Sequence, residues 1–249
     1  MGSLKPMLKP VKQPVVSMHT EDVALFSTPP INTAEEKISW IEYRPTFINK
    51  DGNSSVQFHI PGNSVQYIDL GKTELYVVVE IIKEDYTEFA DNQSGLPIDM
   101  ILHTMWNTVD VKLNQNLIST SGTNYMYKAF FENLLNYNAN ARKFQMAAIG
   151  FSGERGDLSA TSPKGRSLNK GLTERSEWFK GVSCVEFMGP LMADICNQDR
   201  LILNGVDIDI KLWPNRDEFQ LICHPETVRC KLNILDIYLN VCKVSVSLK

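Results

Sequence analysis

The sequence predicts an all-β fold, and three observations support it. Residues 206–212 alternate strictly between apolar and charged side chains, which is the period of a half-buried β-strand. Asn204-Gly205 stands directly before this segment and favours a tight reversal of the chain. Residues 73–82 form a continuous run rich in β-branched residues, typical of a strand buried on both faces or packed between two sheets. A sandwich of eight or more strands is therefore expected.

The other strand candidates follow from the same two patterns. The last of them slips in phase near Asp236, which predicts a β-bulge there. Residues 84–95 are polar and are expected to form a loop. The predicted strands are 38–44, 56–60, 73–82, 105–113, a return strand from 117, 182–188, 201–212, 219–223 and 228–246.

One segment breaks the strand pattern. Within residues 125–137, large apolar side chains recur at helical spacing, so we expect one amphipathic helix inserted between strands. Its stripe is expected to pack into the core, because aromatic side chains at this spacing are usually core residues. The stripe consists of Tyr127, Phe130, Phe131, Leu134 and Leu135.

Two segments are expected to lie outside the sandwich. Residues 138–180 are long, polar and rich in glycine, and loops of this length are usually functional or mobile. Residues 1–28 alternate prolines with Lys5, Lys9 and Lys12, a pattern that predicts an extended arm. The arm either docks on a neighbouring subunit or an acidic partner, or is a frayed terminus. Residues 29–249 are expected to form a single domain, since no repeat or linker divides them.

Composition excludes several classes of protein. The formal net charge of -4 argues against a chain that coats nucleic acid, which needs clustered Lys and Arg. No signal peptide or membrane-length apolar run is visible in the sequence. The five cysteines are odd in number and none are spaced Cys-x-x-Cys, so reduced thiols in an intracellular compartment are expected, with a disulfide as the less supported alternative.

No pattern of catalytic or metal-ligating residues stands out. The four histidines are dispersed, and Cys223 and His224, as neighbours on a strand, would point to opposite faces. Asp207 and Asp209 share a strand face and could bind a cation or act as acid and base. Lys211 follows on the same face, which favours a polar row facing solvent or a subunit. We therefore expect no enzyme activity, no metal and no cofactor.

A short motif lies in the long polar segment. Arg155-Gly156-Asp157 could present a guanidinium and a carboxylate at opposite ends of a turn, the arrangement that integrin-type receptors read. Tripeptides of this kind also arise often by chance. The motif is a hypothesis for a receptor-binding loop.

Several short blocks follow one another in a characteristic order along the sequence. They are Leu25-Phe26-Ser27-Thr28-Pro29-Pro30, Trp40-Ile41-Glu42-Tyr43-Arg44-Pro45, Gln66-Tyr67-Ile68-Asp69-Leu70, Asp110-Val111-Lys112-Leu113-Asn114, and the segment 198–206. Together these blocks resemble one protein family, the capsid proteins of Maverick (Polinton) elements and the related adintoviruses. The resemblance runs from about residue 25 to 246, and the order of the blocks is more specific than any single block.

The resemblance implies an eight-stranded jelly roll, the N-terminal half of a double jelly-roll major capsid protein. It implies a homotrimeric capsomer in an icosahedral shell, with penton and other capsid proteins as partners. It implies no direct nucleic-acid site, no membrane span, and a place in the virion capsid after assembly inside the host cell. The chain is expected not to be secreted. Family members usually continue into a second jelly roll, which this chain does not include.

Three alternatives remain open. The first is a penton-type minor capsid protein with a single jelly roll. The second is a carbohydrate- or receptor-binding jelly-roll module, for which Trp106, Trp178 and Trp213 could supply stacking surfaces. The third is a cupin-like enzyme on the same fold, which requires a histidine cluster on two strands.

Overall fold

The chain folds mostly into antiparallel β-structure, which confirms the predicted all-β class. The computed structural model describes residues 35–46, 54–90, 93–163, 168–180 and 184–246, and the predicted arm lies outside them. The strands are β1 Glu35–Tyr43, β2 Val56–Ile60, β3 Gln66–Lys83, β4 Ser94–Pro97, β5 Trp106–Leu113, β6 Asn116–Thr120, β7 Val185–Pro190, β8 Ile208–Pro214, β9 Leu221–His224 and β10 Cys230–Val246. The α-helices are α1 Ile101–Thr104, α2 Tyr125–Asn136, α3 Ala139–Phe144, α4 Lys170–Trp178 and α5 Asp217–Gln220.

The strands form two four-stranded sheets and one ribbon. The first sheet has the order β1-β10-β3-β7, the second has the order β2-β8-β5-β6, and β4 pairs with β9 in the ribbon. Every pairing is antiparallel. Antiparallel sheets with one apolar face each can pack as a sandwich around one core.

The strand order is that of a jelly roll. If the eight sandwich strands are numbered along the chain without the β4–β9 ribbon, the sheets read 1-8-3-6 and 2-7-4-5. The first strand therefore pairs with the last, the second with the seventh, the third with the sixth, and the fourth with the fifth. The chain runs as one long hairpin that is wound into two sheets, which is the jelly-roll connection.

The core lies between the two sheets and follows the predicted alternation. On β8, Ile208, Ile210 and Leu212 are fully buried, while the charged residues between them face outward. On β3, Leu75, Val77 and Val79 are buried, but the residues between them are only half-buried. The strand at 73–82 thus contributes one face to the core and is not buried on both. Equivalent inward rows come from Val56, Phe58 and Ile60 on β2, Val109 and Val111 on β5, and Ile237, Leu239 and Val241 on β10.

Two local predictions are confirmed. The register of β10 on β3 shifts between Ile234 and Asp236, where the phase slip predicted a bulge. The turn before β8 contains Gly205 with φ of 75°, a left-handed conformation that glycine adopts at little cost. The predicted strand at 201–212 is shorter than expected, because only an isolated bridge between Ile202 and Ile68 precedes that turn.

Other boundaries were predicted wrongly. The polar segment 84–95 ends in strand β4, and the predicted strand 219–223 begins as helix α5 before β9. The segment 138–180, expected as a loop, contains helices α3 and α4. Its polar residues cap and pair with one another: Asn138 and Asn169 accept hydrogen bonds from the first turns of α3 and α4.

A buried arginine fixes helix α4 against strand β4. The side chain of Arg175 is only 1% exposed. Its Nε donates to Pro97 O at 2.9 Å, Nη1 donates to Ser152 Oγ at 3.0 Å, and Nη2 donates to Glu154 Oε1 at 2.5 Å. Asp99 lies 3.6 Å from Nη1. A buried guanidinium of this kind is tolerated only because its donors are satisfied.

Asp99 links this cluster to the chain leading into α1. Its carboxylate accepts the backbone N–H groups of Ser152 at 2.8 Å and Gly153 at 3.1 Å. Burial raises the pKa of Asp99, while the charge of Arg175 and the N–H bonds act in the opposite direction. The backbone also approaches closely here: a Cβ on Gly171 would lie 2.0 Å from Gly153 O, so only glycine fits.

Helix α2 rests on a small buried polar network. Tyr125 Oη accepts the backbone N–H of Met192 at 3.1 Å and lies 3.1 Å from His103 Nδ1. His103 is 1% exposed, and its Nε2 has no hydrogen-bond partner in the described part of the chain. Burial lowers the pKa of His103 to about 4, because the charged ring would lose its water without gaining a counter-ion.

We expect Arg175→Met to destabilise the protein by about 3–5 kcal/mol, because it leaves two carboxylates beside an apolar side chain. The matched control is Arg155→Met. Arg155 pairs with Glu174 at the surface, with both side chains more than half exposed, so its loss should cost less than about 1 kcal/mol. Urea unfolding of both variants measures the difference. Equal losses of unfolding free energy in the two variants would show that the Arg175 cluster does not hold helix α4 in place.

Stability should also fall on the acid side because of His103. Its pKa is about 6.5 when unfolded and about 4 when folded. Its contribution is therefore complete above pH 6.5 and is lost as the pH falls towards 4, by about 3 kcal/mol in all. His103→Asn keeps a polar atom near Tyr125 but does not titrate. The free energy of unfolding of this variant should depend less steeply on pH between 6.5 and 4; an unchanged slope would contradict the assignment.

Candidate interaction surface

Helix α2 carries most of its large apolar residues on the side that faces away from the protein. The buried residues of the helix are Tyr125, Met126, Ala129 and Asn133. The predicted stripe is exposed instead: Phe131 is 58% and Leu135 is 82% exposed. The prediction that the stripe packs into the core is therefore wrong. The outward apolar surface, here called the α2 face, consists of Tyr127, Phe130, Phe131, Leu134 and Leu135, each at least 37% exposed.

The underside of the helix explains this inversion. Ala129 and Asn133 are one turn apart and both are completely buried, so a small and a polar side chain form the middle of the buried side. Asn133 Nδ2 is directed at Met100 Sδ at 3.4 Å. The large buried residues, Tyr125 and Met126, lie at the start of the helix, and most of the large side chains beyond them point outward.

Contacts on both flanks hold the helix in this rotation. On one flank, Lys128 pairs with Asp194 and with Glu132, and Asn197 donates to Glu132 Oε2 at 3.0 Å. On the other flank, Tyr127 meets Phe219 of α5 edge to face, with ring centroids 5.9 Å apart. Together with the buried residues on the underside, these contacts favour the rotation of the helix in which its apolar side faces outward.

The short 3-10 helix Asp194–Asn197 beside α2 contains a buried thiol. Cys196 is 4% exposed, and burial raises its pKa to about 12. A thiol at this pKa stays protonated and inert near neutral pH. Cys196 therefore acts as a packing residue under the flank of α2, as expected from the sequence.

Other apolar side chains are exposed on edge strands. Leu117 and Ile118 on β6 are both more than half exposed, and Trp40 on β1 is 51% exposed. Both strands lie at the edge of their sheet. Apolar edge strands are surfaces to which another chain readily adds. Together with the α2 face they make the outside of the sandwich unusually apolar in places.

The residues of the predicted polar row on β8 contact other residues of the same chain. Asp209 lies 2.8 Å from His59 Nδ1 on the neighbouring strand. Asp207 lies just before β8 and accepts the backbone N–H of Gly62 at 2.7 Å. Lys211 stands over the ring of Trp213 at 4.1 Å. Asp207 and Asp209 therefore have partners within the chain, and their predicted role as subunit contacts stays a prediction.

The Arg-Gly-Asp segment has both charged ends engaged. Arg155 pairs with Glu174 at 2.5 Å, and Asp157 accepts hydrogen bonds from the backbone and the hydroxyl of Ser159 at 3.0 and 2.6 Å. Gly156 forms an isolated bridge with Asn169. A receptor would have to displace these bonds, so the receptor-binding loop stays a hypothesis. The three lysines of the predicted arm, Lys5, Lys9 and Lys12, lie outside the described residues.

The residues weighed for other functions are not brought together. Trp106 is buried, Trp178 is half-buried beside the core residue Phe187, and Trp213 lies on the outside of β8. In the described ranges, no group of three or more His, Cys, Asp or Glu is placed to hold a metal ion. None of the α-helices in those ranges has both the length and the hydropathy of a membrane crossing.

Proteins similar to this chain include one curated relative and two solved structures. No protein-family model matches the chain. An uncharacterized protein of Caenorhabditis elegans is 25% identical over 190 residues, which cover 73% of this chain and 43% of that protein. The chain thus spans less than half the length of this relative.

The two solved structures are a cryo-EM structure of the Sputnik virophage and a crystal structure of the mavirus major capsid protein. The first matches 100% of this chain and 54% of its own with a TM-score of 0.48 and 10% identity. The second matches 98% of this chain and 53% of its own with a TM-score of 0.43 and 14% identity. This chain therefore spans about half the length of each. The assignment of the jelly roll rests on strand order and register, not on these alignments.

Proposed function

We propose that the chain is a non-enzymatic structural protein, a major capsid subunit of a virus or virus-like element that builds an icosahedral shell through homotrimeric capsomers. Two features support the proposal before any surface is considered. The ordered sequence blocks resemble capsid proteins of Maverick elements and adintoviruses, and the strand order is a complete jelly roll, a fold that viral capsid proteins share with lectins and cupins. The subunit would reside in the virion capsid after assembly inside the host cell.

The observation that carries the proposal is the α2 face. Its five side chains offer roughly 500 Å² of apolar area, given the size of aromatic and leucine side chains. A contact with a similar area on a neighbour buries roughly 1,000 Å², the lower limit for a specific interface. A patch of this extent is at the upper end of what monomeric proteins expose, and patches of this size are often functional.

A trimer requires contacts between unlike surfaces. In a closed three-fold ring each interface is heterologous, so the patch on one subunit meets a different patch on the next. The exposed Leu117 and Ile118 on edge strand β6 are suitable as the second surface. We propose that the subunit also contacts penton and other capsid proteins. We propose that the lysine-bearing arm, together with Asp207 and Asp209, contacts neighbouring subunits.

The second candidate is a penton-type minor capsid protein. One observation favours it: the described residues close a complete single jelly roll by themselves. The resemblance to the major protein favours the half of a double jelly roll, in line with the 43% of the worm relative that the chain matches. Light scattering on this chain, and on a version extended by its natural downstream sequence, separates the two. Trimers that appear with the extension support the major protein.

We expect the double variant Phe131→Asp with Leu135→Asp to fold normally but to associate at least roughly 30-fold more weakly, because losing an interface hot spot costs about 2 kcal/mol or more. The matched control is Leu158→Asp with Leu203→Asp, which removes two leucines of similar exposure elsewhere on the surface. Sedimentation velocity measures the dissociation constants. Equal weakening by both pairs, or monomers from the extended wild-type chain at all soluble concentrations, contradicts the proposal.

A further inference from the structure

Two of the five cysteines face one another where the ribbon meets the first sheet. Cys223 lies on β9 and Cys230 is the first residue of β10, and both are free thiols. They flank the connection 224–229. The chain turns back inside this connection, where Val228 N donates to Pro225 O at 2.9 Å.

Strand register directs both thiols to the same space. Cys223 pairs with Gly95 across the β4–β9 ladder, and cross-strand partners carry their side chains on the same face. A Cβ on Gly95 would lie 3.4 Å from both the Cβ and the Sγ of Cys230, and 2.4 Å from Ile81. The space left by the absent side chain of Gly95 is therefore open to both thiols.

The two thiols differ in access and in ionisation. Cys223 is partly exposed, whereas Cys230 is 6% exposed. The hydrogen bond from Cys230 lowers the pKa of Cys223, and the same bond together with burial raises the pKa of Cys230. The accessible thiol is thus the one that ionises first, and the buried thiol stands behind it.

We infer that Cys223 and Cys230 form a reversible disulfide that joins the β9 end of the ribbon to the start of β10. The oxidant is a small-molecule disulfide such as oxidised glutathione. The Cys223 thiolate attacks one sulfur of the oxidant, the oxidant's S–S bond breaks, and its other half leaves as a thiolate that takes up a proton. The Cys230 thiol then loses its proton and attacks the Cys223 sulfur, which releases the second half. Two protein thiols are oxidised and one small disulfide is reduced to two thiols.

For one pair of cysteines, this inference takes up the disulfide that the sequence left as the less supported alternative to reduced thiols. It does not depend on the proposed capsid role. The disulfide would be open in a reducing compartment and closed in an oxidising one. Because β10 pairs with both β1 and β3, closing the bond secures the strand on which the first sheet is built.

The test is oxidation of the folded 249-residue chain with oxidised glutathione, followed by blocking of the remaining thiols and tryptic mapping without reductant. Trypsin cuts after Arg216, Arg229 and Lys231, so a 223–230 disulfide holds peptide 217–229 to the dipeptide 230–231. We expect this linked pair, and three thiols left for blocking. Five blocked thiols, or a bond that involves another cysteine or a second chain, overturns the inference.

Single-cysteine variants show which thiol attacks the oxidant and which thiol resolves the mixed disulfide. Cys230→Ser should keep one glutathione on Cys223, because the attacking thiol remains and the resolving thiol is gone. Cys223→Ser should take up at least tenfold less glutathione at Cys230 in the same time. Cys184→Ser, the matched control, should still yield the linked peptides. Equal uptake at Cys230 in Cys223→Ser would overturn the order of attack. The mapping of the wild-type chain needs no variant and stands if a variant fails to fold.

Discussion

The pairing of β10 with β1 and β3 is the constraint on which the rest of the structure depends. β10 runs from Cys230 to Val246 and lies between two strands from the first third of the described chain. Without it, β1 has no partner and β3 pairs only with β7. Its inward residues also supply one side of the core at 237–241. The first sheet is therefore complete only when β10, the last strand, pairs with β1 and β3 from the start of the described chain.

The connections between strands carry the features that distinguish this jelly roll. Helix α4 is tied by Arg175 to the backbone at Pro97, and helix α2 is held by the Tyr125 network beneath it and by Lys128 at its flank. The contacts of Arg175 and Tyr125 are buried or half-buried, whereas the Lys128–Asp194 pair is exposed. Together they favour one orientation of each helix. In that orientation the apolar side chains of the α2 face point outward, and burial against a neighbour would be favourable.

Much of the sandwich can be predicted from alternation alone. Strand β8, its turn at Gly205 and the bulge at Asp236 follow directly from the local pattern of residues, because each depends on neighbours in the chain. Short strands such as β4 cannot be predicted in this way. Ser94–Pro97 contains glycine and proline and becomes a strand only because β9 lies beside it.

Local sequence patterns also do not predict whether the apolar side of α2 faces the core or the solvent. The spacing of Phe130 and Leu134 predicts an amphipathic helix correctly, but a hydrophobic stripe does not say whether the core or another molecule covers it. A hint is present in the sequence: Ala129 and Asn133 stand one turn apart and would allow a close approach of the helix to a sheet. The Arg175 cluster and the Cys223–Cys230 pair join residues from distant segments or different strands, so no spacing rule reveals them.

The long reach of β10 has a consequence for how the chain is made. On the ribosome, β1 and β3 emerge well over a hundred residues before the strand that lies between them. During that interval both present unpaired backbone groups and apolar side chains, and pairings between distant segments form slowly. A cell that makes this chain in quantity therefore holds many incomplete sheets at once. Synthesis rate and chaperone capacity, more than the stability of the finished sandwich, would then limit the yield of folded protein.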